Sequence, residues 1–256
     1  MQKNYNQNHE AIKNYLIFHR IIKVCDQPNF TDTKEELFNQ IVYLSSKNNL
    51  KECRLKSNKK YSAEVVFTFD DGYETDYTIA YPKTIISQIP SIIFLVTDWI
   101  GRRNMLNKEQ ILEMSKSGVD FGSHSVDHKN LCEINVNELK ESLYVSKHRI
   151  ENLIQKKVDC LSFPFGSYNK QVCQIARETG YSNLFCSDHG IGKNRNGLLP
   201  RNSINIAFNK KNILKTLHPN CYDKICWAIQ DLIKKSIKRS VGRQKYLDIR
   251  KTFYEK

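Results

Sequence analysis

None of the eight cysteines forms a CxxC pair, and no apolar run approaches the roughly 20 residues of a membrane span. A chain of 256 residues can bury a full core without covalent staples. Reduced thiols are therefore expected rather than a disulfide framework. The opening run MQKNYNQNHEAIKN is polar and has no apolar centre of the secretory-signal type. The expectation is a cytoplasmic protein. Internal repeats and low-complexity segments are absent too. So is any groove pattern interleaving basic and aromatic residues, and nucleic acid is not an expected partner despite a net charge of +13.

That charge is unevenly placed. The last 47 residues hold 13 Lys/Arg against four Asp/Glu, which is nine of the 13 net charges. Basicity belongs to a tail and says little about what the main body binds.

The main body alternates strand-like and helix-like runs. Strands are expected at residues 15–21, 64–69, 91–97, 119–124, 158–163, 183–187 and 203–208. Between them lie helical patterns opened by Asp32, Asn107, Asn137 and Asn169, two of which close on Gly118 and Gly180. Strands apolar on both faces, alternating with helices, argue a parallel sheet covered by helices. Seven of them suit a distorted (β/α) barrel. The expected division is a barrel domain over 1–208 and a basic helical extension over 209–256.

In such folds chemistry gathers at the C-terminal ends of the strands. Asp70 and Asp71 end one strand candidate, His124 another with His128 just after it, and Phe163-Pro164-Phe165-Gly166 a third. His19 ends the first. A DDG triplet alone is usually a turn, and an H-x-x-x-H alone is usually surface or core. Together, at matched strand ends, they make Asp71, His124 and His128 a two-histidine, one-carboxylate set suited to a divalent metal. A regular strand would send the two aspartates to opposite faces, so the pair must sit where the strand breaks, as Gly72 permits. One aspartate would hold the metal and the other work beside it as general base.

Three motifs, TFDDG (68–72), HSVDH (124–128) and FPFGSYN (163–169), resemble in order those of the polysaccharide deacetylases with a NodB-homology domain, carbohydrate esterase family 4. The resemblance covers roughly residues 15–205. It implies metal-dependent hydrolysis of an N-acetyl or other N-acyl group from an amino sugar. Asp70 would be the base, and Asp71, His124 and His128 the ligands of one divalent ion, Zn first, with Co, Ni, Fe or Mn as substitutes. The backbone at Phe165, between Pro164 and Gly166, would hold the oxyanion. Tyr73 would line the groove, and Arg201, in LPRNS, resembles the family arginine that orients the base. The late leucine-x-histidine motif has no clean match: LKTLHPN offers His218. YLIFHRI resembles instead the circularly permuted members, which makes His19 the general acid. The rival within the same fold is an inactive protein that binds glycan or a partner.

In the tail, Ile225, Cys226, Ile229, Leu232, Ile233 and Ile237 recur at helical spacing, with Lys234, Lys235, Lys238 and Arg239 largely on the other side. Two readings stand. One is a helix packed on the domain with a solvated basic face. The other is docking on an anionic membrane surface, peripheral at the inner face.

Overall fold

The computed structural model describes residues 12–23, 26–49, 64–192 and 196–241. The strands are β1 (Lys13–Phe18), β2 (Ile21–Ile22), β3 (Thr33–Lys34), β4 (Glu64–Asp71), β5 (Ser91–Leu95), β6 (Asp120–Ser123), β7 (Cys160–Ser162), β8 (Asn183–Phe185) and β9 (Arg201–Ser203). The helices are α1 (Glu35–Asn49), α2 (Tyr81–Ile86), α3 (Lys108–Lys116), α4 (Val136–Ile154), α5 (Lys170–Glu178), α6 (Lys210–Leu217) and α7 (Cys221–Val241).

Seven strands form one parallel sheet in the order β8-β7-β6-β5-β4-β1-β9. The two edges meet. Leu199, two residues before β9, bridges to Phe185 of β8, with its N–H on the Leu184 carbonyl at 2.9 Å and its carbonyl on the Cys186 N–H at 3.0 Å. The sheet is thus a nearly closed barrel.

Alternation along the strands sorts the side chains into two cores. Val65, Phe67 and Phe69 of β4 face the helices, where Phe38 of α1 packs edge-on against Phe67 at 5.8 Å. Val66 joins Tyr15, Ile92, Phe94, Phe185 and Leu199, a small cluster drawn from the sheet itself. Thr68 and Asp70 continue the Val66 row, so Asp70 sits above an apolar floor.

Asn107 caps α3 in a reciprocal box with Gln110, and Asn169 caps α5 through the Val172 N–H. Four expectations shift. The first strand, expected over 15–21, is Lys13–Phe18, and Ile21 belongs to the separate β2. The cap of α4 is Asn135 rather than Asn137. Helix α1 begins at Glu35, because Asp32 is already engaged by Arg20 at 2.7 Å and by the Asn29 N–H. The last strand is Arg201–Ser203, not 203–208: the chain turns after Ile204, whose N–H still reaches the Ile17 carbonyl. The short β2–β3 pair was not anticipated.

Candidate functional site

Strand β4 ends on the two aspartates, and the break expected there is at Asp71 itself. Its φ is +78° and that of Gly72 is +79°. A Cβ on Gly72 would lie 2.8 Å from Leu95 Cδ2, and its positive φ is one that side chains rarely adopt, so glycine suits the turn. Ser125, His128 and Phe165 also hold φ between +60° and +70°. Strained backbone of this kind is kept where side chains must be aimed.

The bend brings Asp71 to the histidines. Asp71 Oδ1 lies 3.6 Å from His124 Nε2 and 3.4 Å from His128 Nε2. One ligand atom from each residue falls within 4.8 Å of the others. His124 Nδ1 donates to the Ser162 carbonyl at 2.8 Å, which fixes the tautomer and leaves Nε2 as a lone pair facing Asp71. His128 is seated by its N–H on Ser125 Oγ at 3.1 Å. Its ring lies between Trp99 at 5.2 Å and Phe165 at 4.4 Å.

These residues fit a cation. Asp71 Oδ1 is buried without a hydrogen-bond partner. Burial, then the neighbouring Asp70 charge, pushes the Asp71 carboxyl up to about 7. Burial lowers His124, keeping its imidazole neutral as a ligand must be. A positive ion among the three would satisfy the orphaned oxygen and offset the repulsion between the carboxylates.

Asp70 has the opposite environment. Arg201 Nη1 donates to its Oδ1 at 2.7 Å and Nη2 to its Oδ2 at 2.8 Å. Arg201 is wholly buried. It also reaches Thr68 Oγ1 and Ser162 Oγ, with its guanidinium over the Phe94 ring. Burial would raise Asp70, but Arg201, with His124 and His19, holds it well below the usual carboxylate range.

His19 follows β1, whose Phe18 is in register with Phe69, so it stands beside Asp70. Its Nδ1 is buried without a partner. Burial drives the imidazole down to about 4 against the upward pull of Asp70. His218 lies elsewhere. It ends α6 two residues after Thr216, whose carbonyl accepts from Asn14 at the start of β1.

Pro164, Phe165 and Gly166 form a tight turn beyond β7. A Cβ on Gly166 would lie 2.8 Å from Ser187 Cβ, so the loop is pressed against its neighbour. Tyr73 lies close enough to Asp71 to lower its carboxyl, while its own phenol is pushed up by burial.

The sequence reading missed Ser162, which serves Arg201 through its hydroxyl and His124 through its carbonyl. It also missed Asp76, whose carboxyl is pushed well up by burial and then by the neighbouring Asp71 charge. Asp98, which follows β5, is paired with Arg149 of α4. Asp188 and His189 lie in the loop after β8 and hold α7: His189 Nδ1 is 2.9 Å from Asp231 Oδ1, and Lys235 Nζ is 2.7 Å from Asp188 Oδ2.

The family model described as polysaccharide deacetylase matches residues 57–184. The YxkH protein of Bacillus subtilis is 29% identical over 154 residues, 60% of this chain and 55% of that protein. The chain thus spans little more than half of that relative. The poly-beta-1,6-N-acetyl-D-glucosamine N-deacetylase of Staphylococcus aureus is 26% identical over 199 residues, 69% of this chain and 68% of that one. Among solved structures, the Streptococcus pyogenes deacetylase PplD, in complex with acetate, superposes with a TM-score of 0.71 at 24% identity. That alignment covers 82% of this chain and 99% of PplD, and it supports the shared fold.

Proposed function

The chain belongs to the polysaccharide deacetylase family, and on that premise we propose that it hydrolyses an N-acyl group, acetyl first, from an amino sugar with the help of one divalent cation. The observation that carries this is Asp71 Oδ1, buried, unpartnered and within 3.6 Å of two imidazole nitrogens. The cation, Zn before Co, Ni, Fe or Mn, would be held by Asp71, His124 and His128. When bound it supplies polarisation of the acyl oxygen and a lowered pKa for water.

The remaining steps belong to the side chains. Asp70, kept ionised by Arg201, accepts the proton of the attacking water. The backbone at Phe165 faces the charge that develops on the acyl oxygen. The C–N bond breaks as His19 gives a proton to the nitrogen, which leaves as the free amine. Because burial keeps His19 neutral at rest, a proton must reach it during the cycle. Asp70 is beside it and has just gained one. The products are the carboxylic acid and the amine, and protons balance.

The S. aureus relative is named for a deacetylase of an N-acetylglucosamine polymer. For this chain we propose an N-acetylated precursor of a surface polysaccharide, nucleotide-linked or lipid-linked, met in the cytoplasm. The six described cysteines are free thiols, which suits that compartment. An inactive binding protein is disfavoured, since it would have no need of an ionised Asp70 beside an intact ligand set. The test is acetate release from N-acetylglucosamine oligomers, sugar nucleotides and lipid-linked sugars, before and after chelation. Activity that requires re-added Zn²⁺ or Co²⁺ supports the reading. Turnover untouched by chelation refutes it.

A further inference from the structure

Helix α7 sits on the barrel the wrong way round for an ordinary surface helix. At 100° per residue, Tyr222, Ile225, Ile229, Leu232 and Ile233 fall within about 100° of arc. All are exposed, keeping between 51% and 71% of their surface. The side toward the protein is polar. Asp231 is buried against the N–H and ring of His189, Asp223 is buried as the partner of Asn220, and Trp227 stacks on His189. Lys235 ties the same helix to Asp188. Acid groups face in and isoleucines face out.

A stripe of this size left in water costs apolar exposure that most surface helices avoid. No helix among the described residues is long and apolar enough to cross a membrane, so the stripe would lie on a surface rather than span one. We propose that α7 docks the protein on an anionic lipid surface, its isoleucine face entering the boundary between headgroups and acyl chains.

Charge decides among the occupants. Lys224 is exposed on the same helix, and Lys238 and Arg239 follow in the sequence. Residues 210–256 hold most of the net positive charge. Pairing with a second copy would bring like charges together, whereas anionic headgroups would neutralise them. Nucleic acid would match the charge but leave the apolar stripe in water. This inference does not depend on the catalytic reading.

Flotation of the full chain with vesicles tests it. Vesicles of equal phosphatidylcholine and phosphatidylglycerol should carry the protein upward, and pure phosphatidylcholine should carry far less. The double variant Ile229→Glu with Ile233→Glu should cut anionic-vesicle binding by at least about tenfold. Lys224→Gln should cut it by about fivefold, from the loss of one basic residue near such a surface. Both variants change exposed side chains, so helical circular dichroism, thermal midpoint and acetate release from a soluble oligosaccharide should be unchanged. Equal flotation with neutral and anionic vesicles would overturn the proposal. So would a double variant that floats normally, or one whose only change is loss of a dimer in sedimentation. A protein that floats but never deacetylates would refute the catalytic reading alone.

Discussion

Arg201 and Asp70 meet through two nearly equal hydrogen bonds, 2.7 and 2.8 Å, across 131 residues of sequence, and neither is open to solvent. A fork-to-fork pair of this kind fixes direction as well as charge. It keeps one carboxylate of the adjacent pair ionised at rest, ready to take a proton, while the other is free to bind a cation.

Removing the fork should move the acid side of the pH–rate profile. Without Arg201, burial dominates and the Asp70 pKa rises, so activity in Arg201→Gln should fade at a higher pH than in the wild type. Arg201→Lys should restore little, because an ammonium cannot donate to both oxygens in that geometry. Removing one partner of a buried pair also costs about 3–5 kcal/mol of stability. Metal content should stay at the wild-type level. An unshifted acid limb would show that Arg201 does not tune Asp70.

The two aspartates should divide under elemental analysis. His124→Ala and Asp71→Asn should lose the cation, while Asp70→Asn should keep one equivalent and lose turnover by about 10²–10⁴-fold. Equal metal loss in all three would erase the division.

Asp71 also makes stability depend on pH in the cation-free protein. Its folded pKa, about 7, lies above the usual carboxylate value. Below about pH 4 both folded and unfolded chains hold the proton, and nothing is lost. Between about 4 and 7 only the unfolded chain gives it up, so folding is progressively penalised as pH rises. His19, held down to about 4, acts in the opposite sense: its penalty grows as pH falls below about 6.5. The two slopes oppose each other in the wild type. Asp71→Asn should therefore gain thermal midpoint relative to wild type as pH rises from 4 to 7, in chelator. Zn²⁺ should stabilise the wild type most above pH 7 and leave Asp71→Asn almost unchanged. A constant offset between the two proteins across that range would contradict the Asp71 assignment.

His19→Ala should slow turnover by about 10²–10⁴-fold with metal retained, and His218→Ala should behave nearly as wild type. Asn14, which binds the Thr216 carbonyl near His218, is five residues from His19 along β1. At about 3.3 Å per residue, Asn14 lies about 16 Å along the strand from His19, so the Thr216 contact is at the far end of β1 from the candidate acid. A crippled His218→Ala beside a normal His19→Ala would transfer the acid role to α6.

Much of this site was legible because its residues mark strand ends: DDG, the histidine pair and the FPFG turn are local signals. Others depended on distant partners. Arg201 lies between Pro200 and Asn202, surroundings that read as surface loop, and its burial follows only from Asp70 and the ring of Phe94 inside the barrel. Ser162 acts partly through its carbonyl, which every residue has, so no side-chain pattern could single it out. Asp32 looked like a helix cap until Arg20 claimed it. In α7 the apolar period was plain, but periodicity does not say which face meets the protein; the His189–Asp231 contact decided that.

The closing of the sheet has a consequence for how the chain is made. β1, the first strand, lies between β4 and β9, the last. A nascent chain released only as far as residue 198 would hold β1 as a bare edge and Asp70 buried beside Asp71 with no guanidinium to offset them. Such an intermediate has an unpaired hydrogen-bonding edge and two crowded like charges, so it gains little by compacting early. The barrel should therefore assemble in one late step, after the ribosome has delivered β9, and a stalled or clipped product ending before Arg201 should remain a substrate for proteases rather than a partly working enzyme.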